Sequence, residues 1–238
     1  MTDVTSTRGA LARAVRVAQN ILGPVLTLSA NDEGLCIAGS DPFGVCTFHA
    51  IVGMRTGSSP WEACAVCAAS LAALVEADDD QGSRVSLQRD SSGVMARCGY
   101  DALSLPAKSL PPAVSAPITV AAPFAGRVEV RALRNFLARY EPALQPVAVM
   151  LRKCDDGIEV ACSSETGTRV ARMLPQTGRA AGTLEAVEVS VLFAYLKRVC
   201  SVLDGSVKVG ICPAGLTLAL REGEGDGRTV AVLAIRAL

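Results

Sequence analysis

Two stretches decide how this chain is read: NDEGLCIAGS at Asn31–Ser40 and CDDGIEVACS at Cys154–Ser163. Each has an acidic turn closed by a glycine, Gly34 or Gly157, and then an apolar run that ends in serine. The pattern predicts a hairpin, because glycine adopts positive φ cheaply and the flanking residues favour strands. Strand-like runs at 25–30, 34–39 and 45–52 surround the first stretch, and runs at 147–152, 157–162 and 169–174 surround the second. A further pair corresponds in the same way. Gly82-Ser-Arg-Val85 precedes a turn at Ser91-Ser-Gly93, and Gly205-Ser-Val-Lys208 precedes one at Pro213-Ala-Gly215.

Before each group of strands the hydrophobic period changes to that of a helix. Amphipathic helices are predicted to begin near Arg8, Ala68, Arg131 and Ser190, at intervals of about 60 residues. The first places Leu11, Val15, Ala18 and Leu22 on one stripe with Arg13, Arg16 and Asn20 opposite. The third buries Leu133, Phe136, Leu137 and Tyr140 and turns Arg131, Arg134 and Arg139 outward; the fourth buries Leu192, Leu196, Val199 and Leu203 and exposes Lys197 and Arg198. The second, with Leu71, Leu74 and Val75 inward, offers only Ala69, Ala73 and Glu76 on its outer face. Fourfold repetition of a helix-plus-strands unit implies a duplicated α+β domain. The expected boundaries are 1–107 for the first copy, 108–125 for a connector and 126–238 for the second copy. The connector holds the four prolines Pro111, Pro112, Pro117 and Pro123, which exclude helix and central strand alike. It is also apolar enough to be expected as an extended ribbon lying on the surface.

Composition removes several classes of function. Half of the 238 residues are hydrophobic, enough for a packed core, and no run of about 18 apolar residues suggests a membrane span. The N-terminus lacks the basic end and apolar stretch of a secretory signal, so an intracellular location is expected. Nine scattered cysteines read as free thiols of a reducing compartment. Cys64 and Cys67 have metal-ligand spacing but lack a second pair, so no metal and no cofactor is expected. His49, the one histidine, sits in an alternating run, and no nucleophile elbow or phosphate loop is present, so the chain does not read as an enzyme. Net charge is zero; any contact with nucleic acid must come from how charges are arranged.

This pattern resembles the DNA sliding clamps of the proliferating cell nuclear antigen family over essentially the whole chain. The local resemblance lies in Ile37-Ala-Gly-Ser-Asp41-Pro-Phe-Gly-Val45, with Asp41 in the matching acidic position, in Gly157–Glu165, and in the C-terminal strand Val230–Arg236. The chain departs from the family in lacking an acidic tail, a strong negative charge and an acidic connector, so it reads as a divergent clamp of viral or distant eukaryotic type. The resemblance implies a duplicated sliding-clamp fold, two domains each with two helices packed on curved antiparallel sheets. It also implies a processivity factor that encircles double-stranded DNA without sequence preference and tethers DNA polymerase, other clamp-binding peptides and a clamp loader. The expected workplace is the nucleus or a viral replication compartment.

On that reading DNA phosphates meet Arg8, Arg13, Arg16, Arg131, Arg134, Arg139, Lys197 and Arg198. Partners dock at Ser40, Val45, Leu110, Ile118, Val120, Pro213, Ala234 and Ile235. Ring closure pairs the first domain's last strand, with Ala102, Leu103, Ser104 and Leu105, with Arg169, Val170, Ala171 and Arg172 of a neighbouring copy. Two domains per subunit then imply a homotrimer. The alternatives on the same fold are a subunit of a heterotrimeric checkpoint clamp and a viral processivity factor that works as a monomer or dimer.

Overall fold

In the computed structural model, residues 2–54, 60–76, 83–109, 124–175, 187–222 and 228–238 are described. Most of the connector, including Leu110, Ile118 and Val120, lies outside them. Helix and strand alternate in one fourfold order. Strand β1 (Thr2–Thr7) leads into helix α1 (Arg8–Leu22) and then β2 (Val25–Asn31), β3 (Gly34–Ser40) and β4 (Cys46–Val52). Next come β5 (Trp61–Cys67), α2 (Ala68–Glu76), β6 (Arg84–Arg89), β7 (Gly93–Cys98), β8 (Asp101–Pro106) and the short β9 (Lys108–Ser109). The second half repeats the order with β10 (Phe124–Glu129), α3 (Val130–Leu144), β11 (Ala148–Cys154), β12 (Gly157–Ser163) and β13 (Arg169–Pro175). It closes with β14 (Glu188–Leu192), α4 (Phe193–Val202), β15 (Ser206–Cys212), β16 (Gly215–Glu222) and β17 (Thr229–Arg236). The α+β class is therefore observed.

The chain divides into two compact units, Met1–Pro117 with Arg221–Ala231, and Ile118–Leu220 with Val232–Leu238. In the first, β8 closes one end of the order β1-β6-β7-β8, and β4, β3, β2, β5 and β9 neighbour one another in turn. In the second, β13 closes one end of β13-β12-β11-β14, and β10, β15, β16 and β17 follow one another. Among the described residues the strands within each unit pair antiparallel. Residues 221–231 join the first unit through particular contacts: Thr229 Oγ1 donates to Ala10 O, Gly53 N–H donates to Arg228 O, and Arg228 Nη2 donates to Glu33 O.

Within each unit the two repeats exchange strands. The strand that precedes α1 pairs with β6 of the second repeat, while the strand that precedes α2 pairs with β2 of the first. In the second unit β10 pairs with β15 and β14 with β11. The helix starts obey the same reciprocity. Arg8 N–H donates to Ser83 O at 2.8 Å and Ala68 N–H to Pro24 O at 2.8 Å, while Val130 N–H donates to Gly205 O at 2.9 Å and Phe193 N–H to Val147 O at 2.9 Å. The first N–H of each helix is thus satisfied by a carbonyl that follows its partner helix in the chain. At Thr7, Glu129 and Leu192 no side chain caps the helix that follows.

The fourth helix starts at Phe193, not at Ser190, because Ser190, Val191 and Leu192 are held in register with Met150, Val149 and Ala148 of β11. The apolar stripes fall inward as their period requires. Leu11, Val15, Ala18, Leu22, Leu71, Leu74, Val75, Leu133, Phe136, Leu137, Leu196, Val199 and Leu203 are buried, each fully buried large side chain contributing on the order of 1.5–3 kcal/mol against exposure.

Of the turn glycines Gly34 has a positive φ, 154°, and all four share a further reason. A Cβ on Gly34, Gly93, Gly157 or Gly215 would stand under 3.0 Å from the carbonyl oxygen of Val52, Leu105, Leu174 or Ile235 respectively. At the start of each hairpin's second strand, the third strand approaches too closely for any side chain. The turns themselves are set by side-chain acceptors: Asn31 Oδ1 accepts from Glu33 and Gly34 N–H, and Asp90 Oδ1 from Ser92 and Gly93 N–H.

Candidate nucleic-acid interface

The four helices carry eight cations, Arg8, Arg13, Arg16, Arg131, Arg134, Arg139, Lys197 and Arg198, against two acids, Glu76 and Glu141. The whole chain has zero net charge, and its helices have four cations for each acid, whereas the strands are only modestly positive and most acids lie outside the described helices and strands. Arg13, Arg16, Arg131, Arg139, Lys197 and Arg198 are exposed on helix faces turned away from the apolar stripes. Arg139 lies over the Tyr140 ring, 5.5 Å from its centroid, a cation–π contact that leaves the guanidinium on the surface. On α2, Ala69 and Ala73 are exposed and no cation accompanies them.

Two of the eight do other work. Arg8 is 1% exposed, and its Nε donates to Val75 O at 2.9 Å. It stands at the buried start of α1 and reaches the carbonyl end of α2, so it is not on the surface, as the expected contact with DNA phosphate requires. Arg134 does the same in the second unit. Its Nε donates to Cys200 O at 2.8 Å, and Nη2 reaches Leu203 O and Asp204 Oδ1, the latter at 2.9 Å. Each guanidinium meets the negative end of a helix macrodipole. All four helices lack a basic residue in the last turn, so nothing local marks α2 and α4 as the two that receive an arginine from elsewhere.

Three of the exposed cations are ion-paired. Arg16 meets Glu76 at 3.3 Å, Arg13 meets Glu222 at 3.1 Å, and Lys197 Nζ sits 2.7 Å from both carboxylate oxygens of Glu141. No local sequence pattern joins these partners, which lie on different elements.

The two edge strands can be read donor by donor. Ser164 N–H donates to Thr168 O, and hydrogen-bonded pairs alternate along an antiparallel ladder. In the observed register Val170 and Arg172 therefore turn their N–H groups inward to Cys162 and Val160, while Arg169, Ala171 and Met173 turn theirs outward. On β8, Ala102 and Ser104 face outward by the same alternation, whereas Leu103 and the buried Leu105 bond to β7. Both edges end in an exposed proline, Pro106 and Pro175, which has no N–H to offer.

Of the residues expected to dock partners, Ser40 and Pro213 are exposed and Val45 is half-buried. Ala234 and Ile235 are 5% and 0% exposed, so these β17 side chains belong to the core and line no surface groove. Asp41 is buried, its carboxylate accepting from Phe43 and Cys46 N–H, which holds Phe43 out at 81% exposure. Metal chemistry finds no foothold at the cysteine pair: three residues apart on a strand, Cys64 points inward and Cys67 outward. All nine cysteines are free; burial pushes the Cys162 thiol up to about 11 and the Cys200 thiol up to about 12. Among the described residues no helix is long and apolar enough to cross a membrane.

No family model and no curated protein matches the chain in sequence. Solved structures do match in three dimensions. A. fulgidus PCNA, bound to the C-terminal region of FEN-1, is 12% identical with a TM-score of 0.76, covering 100% of this chain and 98% of that one. The PCNA2–PCNA3 complex of Sulfolobus tokodaii gives 12% identity, a TM-score of 0.74 and coverage of 99% and 98%. The proliferating cell nuclear antigen of Entamoeba histolytica gives 9% identity, a TM-score of 0.73 and full coverage of both chains. With four reciprocal repeats matched from end to end, this chain has the sliding-clamp fold of the proliferating cell nuclear antigens.

Proposed function

We propose that the chain is a subunit of a non-enzymatic DNA sliding clamp, a ring that encircles duplex DNA and tethers replication proteins to it. The observation that carries the reading is the charge of the helices: in a chain of zero net charge, six exposed cations crowd onto helices that hold only two acids. Flexible cations on smooth helix faces suit sequence-independent phosphate contacts, the kind a sliding protein needs. Two sheet edges with outward-facing donors, on β8 and β13, suit closure with further copies of the chain. The relatives in fold add support, since one is a complex of two PCNA subunits and another holds the C-terminal region of FEN-1. By that analogy partner peptides bind near Ser40, Val45 and the connector residues Leu110, Ile118 and Val120.

The test uses the full chain. Light scattering after size exclusion is expected to give three times the 24.6 kDa chain mass. The assembly, loaded on DNA, is expected to persist on closed circles and to slide off linear duplex. A monomer at every concentration whose retention ignores DNA ends would refute the ring. A monomer that trimerises only with other subunits would move the assignment to a heterotrimeric clamp.

A further inference from the structure

Glu76 and Glu141 are the only acids in the four helices, and both sit where a helix least favours them. Glu76 is the last residue of α2, and Glu141 lies in the last turn of α3. At a helix C-terminus the macrodipole repels an anion. Each acid nevertheless meets a cation of the neighbouring helix, Glu76 with Arg16 of α1 and Glu141 with Lys197 of α4. All four side chains are between 39% and 61% exposed, and ion pairs in such exposure contribute little to stability. Neither local propensity nor packing accounts for these carboxylates. One interhelical pair per unit, on the cationic faces, suggests a role toward what those faces bind.

We propose that Glu76 and Glu141 are affinity-limiting residues of the DNA-facing surface, each competing with backbone phosphate for the cation that it holds. The inference rests on the clamp reading given above. With the carboxylate in place, Arg16 or Lys197 exchanges one anion for another when it meets DNA, so the net gain per contact is small. Exposure lets the pair open without a desolvation cost, and a phosphate takes the carboxylate's place as the duplex passes. Contacts that are individually weak and quickly exchanged permit sliding, whereas uncompensated cations would hold the backbone. The acids act through their partners, as positioning residues that lower affinity, and touch no phosphate themselves.

Binding of the full chain to a fluorescein-labelled duplex, followed by anisotropy over a series of salt concentrations, tests this. Glu141→Gln is expected to tighten binding at low salt by about two- to fivefold, the range of a surface ion pair, and to steepen the plot of log affinity against log salt by about 0.9, one phosphate contact. In a Lys197→Gln background the same substitution should change nothing. Glu76→Gln, alone and with Arg16→Gln, repeats the experiment in the other unit and guards against a folding defect in either. Equal tightening with and without Lys197 would mean that only net charge matters, and would overturn the proposal. So would an unchanged affinity for both glutamine variants while Lys197→Gln weakens binding, an outcome that leaves the clamp reading intact. If neither Lys197→Gln nor Arg131→Gln weakens binding, the DNA-facing surface itself is misassigned and the proposal falls with it.

Discussion

At the scale of single residues, two kinds of position carry more than their sequence suggests. The four hairpin glycines are fixed by the third strand's carbonyl, so Gly157→Ala must push β13 away from β12 or break its ladder. Melting of this variant should show a loss of about 1–3 kcal/mol, the usual cost of forcing an extra carbon into packed structure. Gly205 offers the contrast. Its φ of +70° favours glycine but a Cβ there meets nothing within 4 Å, so the cost of Gly205→Ala is confined to the left-handed backbone, about 1–2 kcal/mol. His49 makes a prediction in pH. Burial in β4 lowers its imidazole below the ordinary 6.5, with Glu33 opposing the shift in part. A base whose folded pKa is depressed is held neutral by the fold, so its contribution is present above pH 6.5 and is lost as pH falls through the folded value. The thermal midpoint of the wild type should therefore fall further between pH 7.5 and pH 5 than that of His49→Gln, a comparison made with about ten buffers spanning the titration of an imidazole. Parallel curves would show that His49 titrates as it does in the unfolded chain.

Among the elements, the edge strands allow the sharpest test, because alternation says which donor faces which way. Proline at Ala171 removes an N–H that β13 turns outward, leaving the bonds of Val170 and Arg172 to β12 in place. Ala171→Pro is expected to remain folded by circular dichroism and to run as a monomer, whereas Val170→Pro should unfold the β12–β13 pair. An Ala171→Pro variant that still assembles would place the contact between copies elsewhere. The same elements show what the chain reveals unaided. The three strands after each helix were legible because acidic turns and alternating apolar residues mark them, and the helices because their stripes keep a 3.6 period. The strands before the helices, β1, β5, β10 and β14, were not: they run straight into helix without a turn, and the first N–H of the helix is satisfied by a distant carbonyl. The exposed cations were legible by subtraction from the apolar stripes. The inward turn of Arg8 and Arg134 was not, because Arg8 meets Val75 and Arg134 meets Cys200 across more than 60 residues of chain, and no local pattern encodes a contact of that range.

For the molecule as a whole the decisive quantity is where charge sits, since its sum is zero. An overall attraction to DNA would respond equally to any lost cation, but a binding face built on helices would not. Arg131 and Arg198 are exposed on α3 and α4, and among the described residues neither is ion-paired. Arg97 is equally exposed, on the face of β7 opposite the buried Ala96 and Cys98. Reversal to glutamate changes the net charge identically at all three. Arg131→Glu and Arg198→Glu should each weaken duplex binding severalfold and flatten its salt dependence by about 0.9 per lost phosphate contact, with little regard to base sequence. Arg97→Glu should leave both affinity and slope close to wild type. Folding should survive in every case, because these side chains lie outside the apolar core. If Arg97→Glu proves as defective as Arg131→Glu, long-range charge accounts for the binding and the helices have no special part in it. If the helix variants alone lose affinity, the cations act from the faces of the three helices that carry them, α1, α3 and α4, in a chain most of whose balancing acids lie outside the described helices and strands.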